Sequence, residues 1–137
     1  MGYTTKFTGV IKLSRPLTLA EASDWLDLTD DDADIPTPNP GGYMQWVPTE
    51  DLNGIVWDGG EKFYNYTEWM QWLCKWLKVR GIDANGELRY SGEEANDTGT
   101  LKVSGNLVTV HKGTAGTGHG KPLTRDRLGR LAIQRAR

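Results

Sequence analysis

Cysteine is almost absent: Cys74 is the only one in 137 residues. No internal disulfide can form, and the composition fits a reducing compartment. Cys74 sits on the flank of an amphipathic stretch with no histidine nearby, so it reads as a structural thiol. Histidine is nearly as scarce, with His111 and His119 alone. Neither has a helical i,i+4 partner or neighbouring cysteines, so a dedicated zinc site has no ligand set to draw on. Long apolar runs are missing too. No stretch approaches 18 apolar residues, and no charged leader precedes an apolar run. The expectation is a soluble, cytoplasmic protein without a membrane partner.

Net charge is also small, −2 overall, but it hides a division. Residues 1–113 carry 10 Lys/Arg against 17 Asp/Glu, a net of −7. Residues 114–137 carry 6 against 1, a net of +5. An acidic body repels phosphate, so nucleic-acid binding is expected only through the basic tail.

What the sequence has in quantity is tryptophan, six residues of it. Three lie between Tyr66 and Val79. At 100° per residue, Tyr66, Trp69, Met70, Trp72, Leu73, Trp76 and Leu77 share one face, with Thr67, Gln71, Lys75 and Lys78 opposite. Burying three indoles is worth on the order of 10–15 kcal/mol as an upper limit, comparable with the whole net stability of a domain. The spacing therefore predicts a helix whose tryptophans turn into the core. Asn65 with Glu68 suggests an N-terminal capping box, and Gly81 a left-handed stop.

The other elements follow from simpler signals. Residues 3–14 alternate, with Tyr3, Thr5, Phe7, Gly9, Ile11 and Leu13 on one side, as in a half-buried strand. Thr18 and Glu21 form a capping box for a short helix through about Leu28 that presents Leu19, Ala22, Trp25 and Leu26. Tyr43–Pro48 and Ile55–Trp57 read as a hairpin around Asn53-Gly54. Asn85-Gly86 is expected to turn into a strand at Glu87–Tyr90. Leu101–Val103 and Leu107–Val110 flank a second hairpin turn at Gly105-Asn106. The expected class is α+β: a mainly antiparallel sheet with two helices packed on one face, order βαββαβββ, a ferredoxin-like variant. Residues 1–112 make the domain. Residues 113–137 are a glycine-rich linker and a basic tail, disordered in isolation or a short helix formed on a partner.

Three stretches invite chemical readings. Asp30, Asp32 and Asp34 have the spacing of the first calcium ligands of an EF-hand loop, but Ile35 replaces the required glycine and Gly41 the bidentate glutamate. Gly118-His119-Gly120-Lys121 lacks the earlier glycine of a phosphate loop (Ala115 is there) and the hydroxyl after the lysine (Pro122 is there). The remaining candidate is Asp58-Gly59-Gly60-Glu61-Lys62. Two glycines expose backbone N–H groups just ahead of a helix, where a small anion or another ligand can bind. Read plainly, the same residues are a strand-to-helix turn with its charges in water. No catalytic residue, metal ligand or cofactor motif is identified, and the reading leans away from an enzyme.

Several fragments together resemble a family of small proteins of bacteriophages and prophage regions, particularly those of actinobacteria. They are Tyr3-Thr4-Thr5 with Phe7, Pro16-Leu17-Thr18, Gln45-Trp46-Val47-Pro48-Thr49-Glu50-Asp51, and Trp57-Asp58-Gly59-Gly60-Glu61-Lys62-Phe63-Tyr64-Asn65-Tyr66 followed by Glu68-Trp69. Gly99, Asn106 and Val108-Thr109-Val110 fit as well, so the resemblance spans roughly residues 3–111. It implies a phage accessory protein that binds and blocks or sequesters a host factor in the host cytoplasm. It brings no active-site residues. Two alternatives stand beside it: a small-ligand or nucleotide binder or hydrolase at the Asp58–Lys62 turn, and a minor virion component.

Overall fold

A computed structural model describes residues 3–113 and 122–135. Six strands and three helices follow in the order β1 (Lys6–Leu13), α1 (Leu19–Leu28), β2 (Trp46–Pro48), β3 (Gly54–Trp57), α2 (Tyr66–Val79), β4 (Ala84–Ser91), β5 (Thr98–Ser104), β6 (Leu107–Lys112) and α3 (Arg125–Arg135). The strands form one sheet of order β2-β3-β1-β4-β5-β6, and every neighbouring pair is antiparallel. The first four strands have the ferredoxin-like arrangement, with β1 between β3 and β4. The β5–β6 hairpin widens the sheet beyond β4. The expected class and element order are observed, with one further helix.

Register explains which side chains meet. Phe7, Ile11 and Leu13 of β1 stand opposite Tyr90, Gly86 and Ala84 of β4, and Leu88 of β4 stands opposite Leu101 of β5. Because side chains alternate along a strand, these residues share one face, and all but the glycine belong to a single hydrophobic core. Trp25 and Leu26 of α1 and Trp69, Met70, Leu73 and Leu77 of α2 close that core from above. Phe7 meets Trp46 and Tyr66 edge-on, with ring centroids 4.8 and 4.9 Å apart, an arrangement that ring quadrupoles favour.

Helix ends are set by different devices. Thr18 accepts from the Glu21 N–H and Glu21 accepts from the Thr18 N–H, completing the expected capping box of α1. Asn65 departs from expectation. It precedes α2 in a left-handed conformation (φ 59°) and makes no side-chain cap bond; its amide instead donates to the Pro40 carbonyl at 2.9 Å. A residue already at positive φ cannot place its side chain over the first-turn N–H groups, so it tethers the proline-rich loop. Gly81 supplies the left-handed stop at φ 73°.

Two further expectations are corrected. Asn85-Gly86 makes no turn: both residues lie within β4, and Gly86 faces Ile11 so closely that a Cβ there would meet the Val10 carbonyl at 2.9 Å. The glycine is needed for a close backbone approach rather than a reversal. The second concerns the chain end. Thr124–Arg137 is expected to order only on a partner, yet α3 packs on α1 of the same chain, where Arg125 bonds Asp27 and Asp30 at 3.0 and 2.7 Å. Ahead of it, the Leu123 N–H donates to the Pro48 carbonyl at 2.7 Å and its side chain is buried in the core. The linker at 114–121, with His119 and the Gly118–Lys121 stretch, lies outside the described residues.

Candidate functional site

The Asp58–Lys62 segment connects β3 to the approach of α2, and its conformation is accounted for by its own hydrogen bonds. The Asp58 carboxylate accepts from the Gly60 N–H at 2.7 Å, folding the two glycines into a tight turn. Gln45 supports it from β2's side: its amide donates to the Glu61 carbonyl at 2.8 Å, its oxygen accepts from the Trp57 indole at 3.1 Å, and its carbonyl accepts from the Asp58 N–H. Gly59 has φ 86°, and a Cβ on Gly60 would come within 3.0 Å of both the Asp58 and Gln45 side-chain oxygens. Burial raises the Asp58 carboxyl above its usual pKa, with the Gly60 N–H pulling the other way.

Chemically, the N–H that would receive an anion at Gly60 already holds a carboxylate. Glu61 and Lys62 are exposed. Glu61 joins Lys6 and Glu93 around an open polar cleft of about 570 Å³, where two carboxylates outnumber one ammonium. Among the described residues, no group of three or more His, Cys, Asp or Glu side chains is placed to hold a metal ion. Cys74 is buried, and burial pushes its thiol up to about 12, which removes the thiolate needed for nucleophilic chemistry at neutral pH.

The residue types that matter most for binding lie elsewhere, on α2. Four of the six indoles spend their N–H inside the protein: Trp25 on the Trp46 carbonyl, Trp46 on the Tyr66 carbonyl, Trp69 on the Gly41 carbonyl and Trp57 on Gln45. Among the described residues, neither Trp72 nor Trp76 makes such a bond. Of the three tryptophans expected to point inward from α2, only Trp69 is buried; Trp72 and Trp76 are partly exposed. The seven-residue apolar stripe is wider than the sheet can cover. Its trailing edge, one step round the helix from Trp69, faces outward.

That edge forms the floor of an apolar groove of about 510 Å³, walled by Pro38 and Pro40 of the loop before β2 and by Val79, with Glu68, Gln71, Lys75 and Arg80 along its margins. Trp72 packs edge-on against Trp69, centroids 5.7 Å apart, and Trp76 against Trp25 at 6.1 Å. The Arg80 guanidinium lies 3.6 Å from the Trp76 ring centroid and donates to the Trp76 carbonyl. The indoles are thus held in place by their neighbours while staying partly exposed. Val79 is 85% exposed. The groove's volume falls in the range of ligand sites, ~300–1,000 Å³, which are mostly apolar with a few polar groups to fix orientation.

The sequence carried no separate signal for this site: seven apolar residues on a 14-residue helix is the usual core-facing density of three to four per two turns, so periodicity alone does not part Trp72 and Trp76 from the buried residues. Comparison with known proteins adds no relative, since no family model, no curated protein and no solved structure matches the chain.

Proposed function

We propose that this protein is a non-enzymatic binding protein of the phage accessory kind, which captures a host factor by seating an apolar segment of it on Trp72 and Trp76. The observation that carries this reading is the pair of anchored, partly open indoles flanked by prolines and an 85% exposed Val79. Tryptophan and arginine are the residue types that concentrate binding energy at interfaces, and a desolvated aromatic cluster ringed by polar side chains is how such anchors are arranged. The resemblance of residues 57–66 to phage proteins points the same way. The resembling segment itself builds the scaffold: Trp57, Asp58 and Glu61 lock to Gln45 and so fix the approach to α2.

Affinity capture from an actinobacterial host lysate, with wild type beside Val79→Glu and Trp72→Ala, tests it. The expected result is a stoichiometric partner retained by wild type and lost by both variants. Val79→Glu places a charge in the groove without touching the core, so folding stays intact. A partner held equally well by both variants, or no partner at all, overturns the reading. The groove's volume also suits a small apolar ligand. That alternative predicts a rise in melting temperature of wild type, and not of Val79→Glu, with an indole- or phenyl-bearing compound.

A further inference from the structure

The sheet's second face lies away from α1 and α2. By register, the outward positions are Lys6, Thr8, Val10 and Lys12 on β1, Asn85, Glu87, Arg89 and Ser91 on β4, Thr98, Thr100, Lys102 and Ser104 on β5, and Leu107, Thr109 and His111 on β6. Lys6, Lys12, Arg89, Lys102 and His111 are all exposed, as are Thr8, Asn85, Ser91 and Thr109. Among the described residues, no helix covers these positions, although Thr100 is itself buried. Across these four strands the face carries four Lys/Arg and one carboxylate, Glu87, a net of +3 within a body whose net is −7. Among the described residues, none of the four cations forms an ion pair. Glu87 stands opposite Lys102 in register without closing one. The other acids lie in the Asp30–Asp34 loop and at the Lys6 end of this face, where Glu61 and Glu93 share a cleft with Lys6 and Ser91, which leaves Lys12, Arg89 and Lys102 as its cations away from that cleft. The acidic composition of the body is therefore unevenly distributed, and the exposed part of this face on β1, β4 and β5 is basic.

We propose that this face binds the phosphate backbone of nucleic acid without reading its sequence. The occupant follows from the chemistry of the face. An interface for protein is depleted in lysine and built round aromatic or apolar anchors; this one has lysines, short hydroxyls and an amide, with Leu107 as its one well-exposed apolar side chain. Phosphates take their hydrogen bonds from Lys, Arg, Ser, Thr and Asn, and the interfaces that hold them are polar and positively charged. Lys12 stands four residues, about 13 Å, along β1 from Thr8, the register partner of Arg89, and Lys102 lies about 10 Å across the sheet from that strand, so the three cations meet several phosphates rather than one. The face lacks phenylalanine, tyrosine and tryptophan, the usual platforms for base stacking, which is why the binding is independent of sequence. The groove on α2 lies on the other side of the sheet, and neither proposal depends on the other.

Fluorescence anisotropy with the full chain tests it, using a labelled oligo-dT and a labelled mixed-sequence duplex, with poly-glutamate as competitor. Three phosphate contacts, at Lys12, Arg89 and Lys102, give a slope of log affinity on log salt of about −2.1 to −2.7, a loss on the order of 20- to 40-fold between 50 and 200 mM salt. Lys12→Glu/Arg89→Glu/Lys102→Glu should abolish binding, and Lys12→Gln/Arg89→Gln/Lys102→Gln should bring the slope close to zero. Each position is exposed, so the melting temperature should hold. Arg130→Glu on α3 should bind like wild type. Absence of binding at 50 mM salt overturns the proposal. So does binding that survives the sheet variants, that is lost in the α3 variant, or that poly-glutamate displaces as readily as unlabelled oligo-dT does.

Discussion

Cys74 shows how far one side chain's surroundings set its chemistry. On sequence it is a lone thiol beside an amphipathic face; in the fold it is 1% exposed and burial pushes its pKa up to about 12. The thiolate is the reactive form, so a thiol-reactive chromophore at pH 8 should label no cysteine in the native protein and one per chain after denaturation. Rapid labelling of the native protein would show that α2 opens readily from the sheet. Tryptophan is divided by the same physics. An indole N–H costs free energy when buried without a partner, and the indoles that donate their N–H to Trp46, Tyr66, Gly41 and Gln45 are the four that knit the core and its margin. Trp72 and Trp76 escape that requirement by staying partly in contact with solvent, and this leaves them available to a ligand.

At the scale of elements, the β5–β6 turn is tied to α2 and to the start of β4 through one residue. The Asn106 amide donates to the Cys74 and Ile82 carbonyls at 2.9 and 3.1 Å, and its oxygen accepts from the Ala84 N–H at 2.6 Å. Its φ of 68° is one that asparagine tolerates and alanine does not. Asn106→Ala should therefore destabilise the protein by roughly 2–4 kcal/mol, from unpaired polar groups and backbone strain together. Asn106→Gly should recover about 1 kcal/mol of that by relieving the strain alone. Chemical denaturation of the three proteins measures both, and equal stabilities would deny the turn its anchoring role. From its neighbours in the sequence Asn106 is legible as half of a Gly-Asn turn pair. Its three bonds reach 22 to 32 residues back along the chain, beyond what any local pattern records.

Across the whole molecule, Arg15 joins three parts of the fold. It holds Glu21 of α1 through two hydrogen bonds of 2.8 and 2.9 Å and donates to the Arg80 carbonyl at the end of α2, just after its own strand β1 ends. The Arg15 guanidinium, helped by the Thr18 N–H, holds the Glu21 carboxyl down at about 2, against the opposing push of burial and below its ordinary 4.5. A carboxyl whose folded pKa is depressed binds fewer protons than the unfolded chain, so its contribution is complete above about 4.5 and is lost as pH falls towards about 2. Melting temperature should fall across that window, and Glu21→Gln should be less stable than wild type at pH 7 but converge with it near pH 2. Parallel curves for the two proteins would show that the pair contributes nothing through ionisation.

Local sequence was enough to determine the element order through β6, the inward row of β1, the capping box at Thr18–Glu21 and the Gly81 stop, because each depends on side-chain periodicity or on residues within a few positions of one another. It also marked Asp58–Lys62 as a special turn, but not that Gln45 and the turn's own Asp58 already occupy its polar groups. Only the tertiary structure decided that Asn85-Gly86 runs straight past Ile11, that α3 lies on α1, which side of the Trp72–Trp76 edge stays open, and that four cations of an acidic chain share the sheet face turned away from α1 and α2. Those outcomes depend on strand order and on how much of a helix a sheet can cover. Both are set by contacts between residues distant in sequence, whose pairing no local pattern encodes.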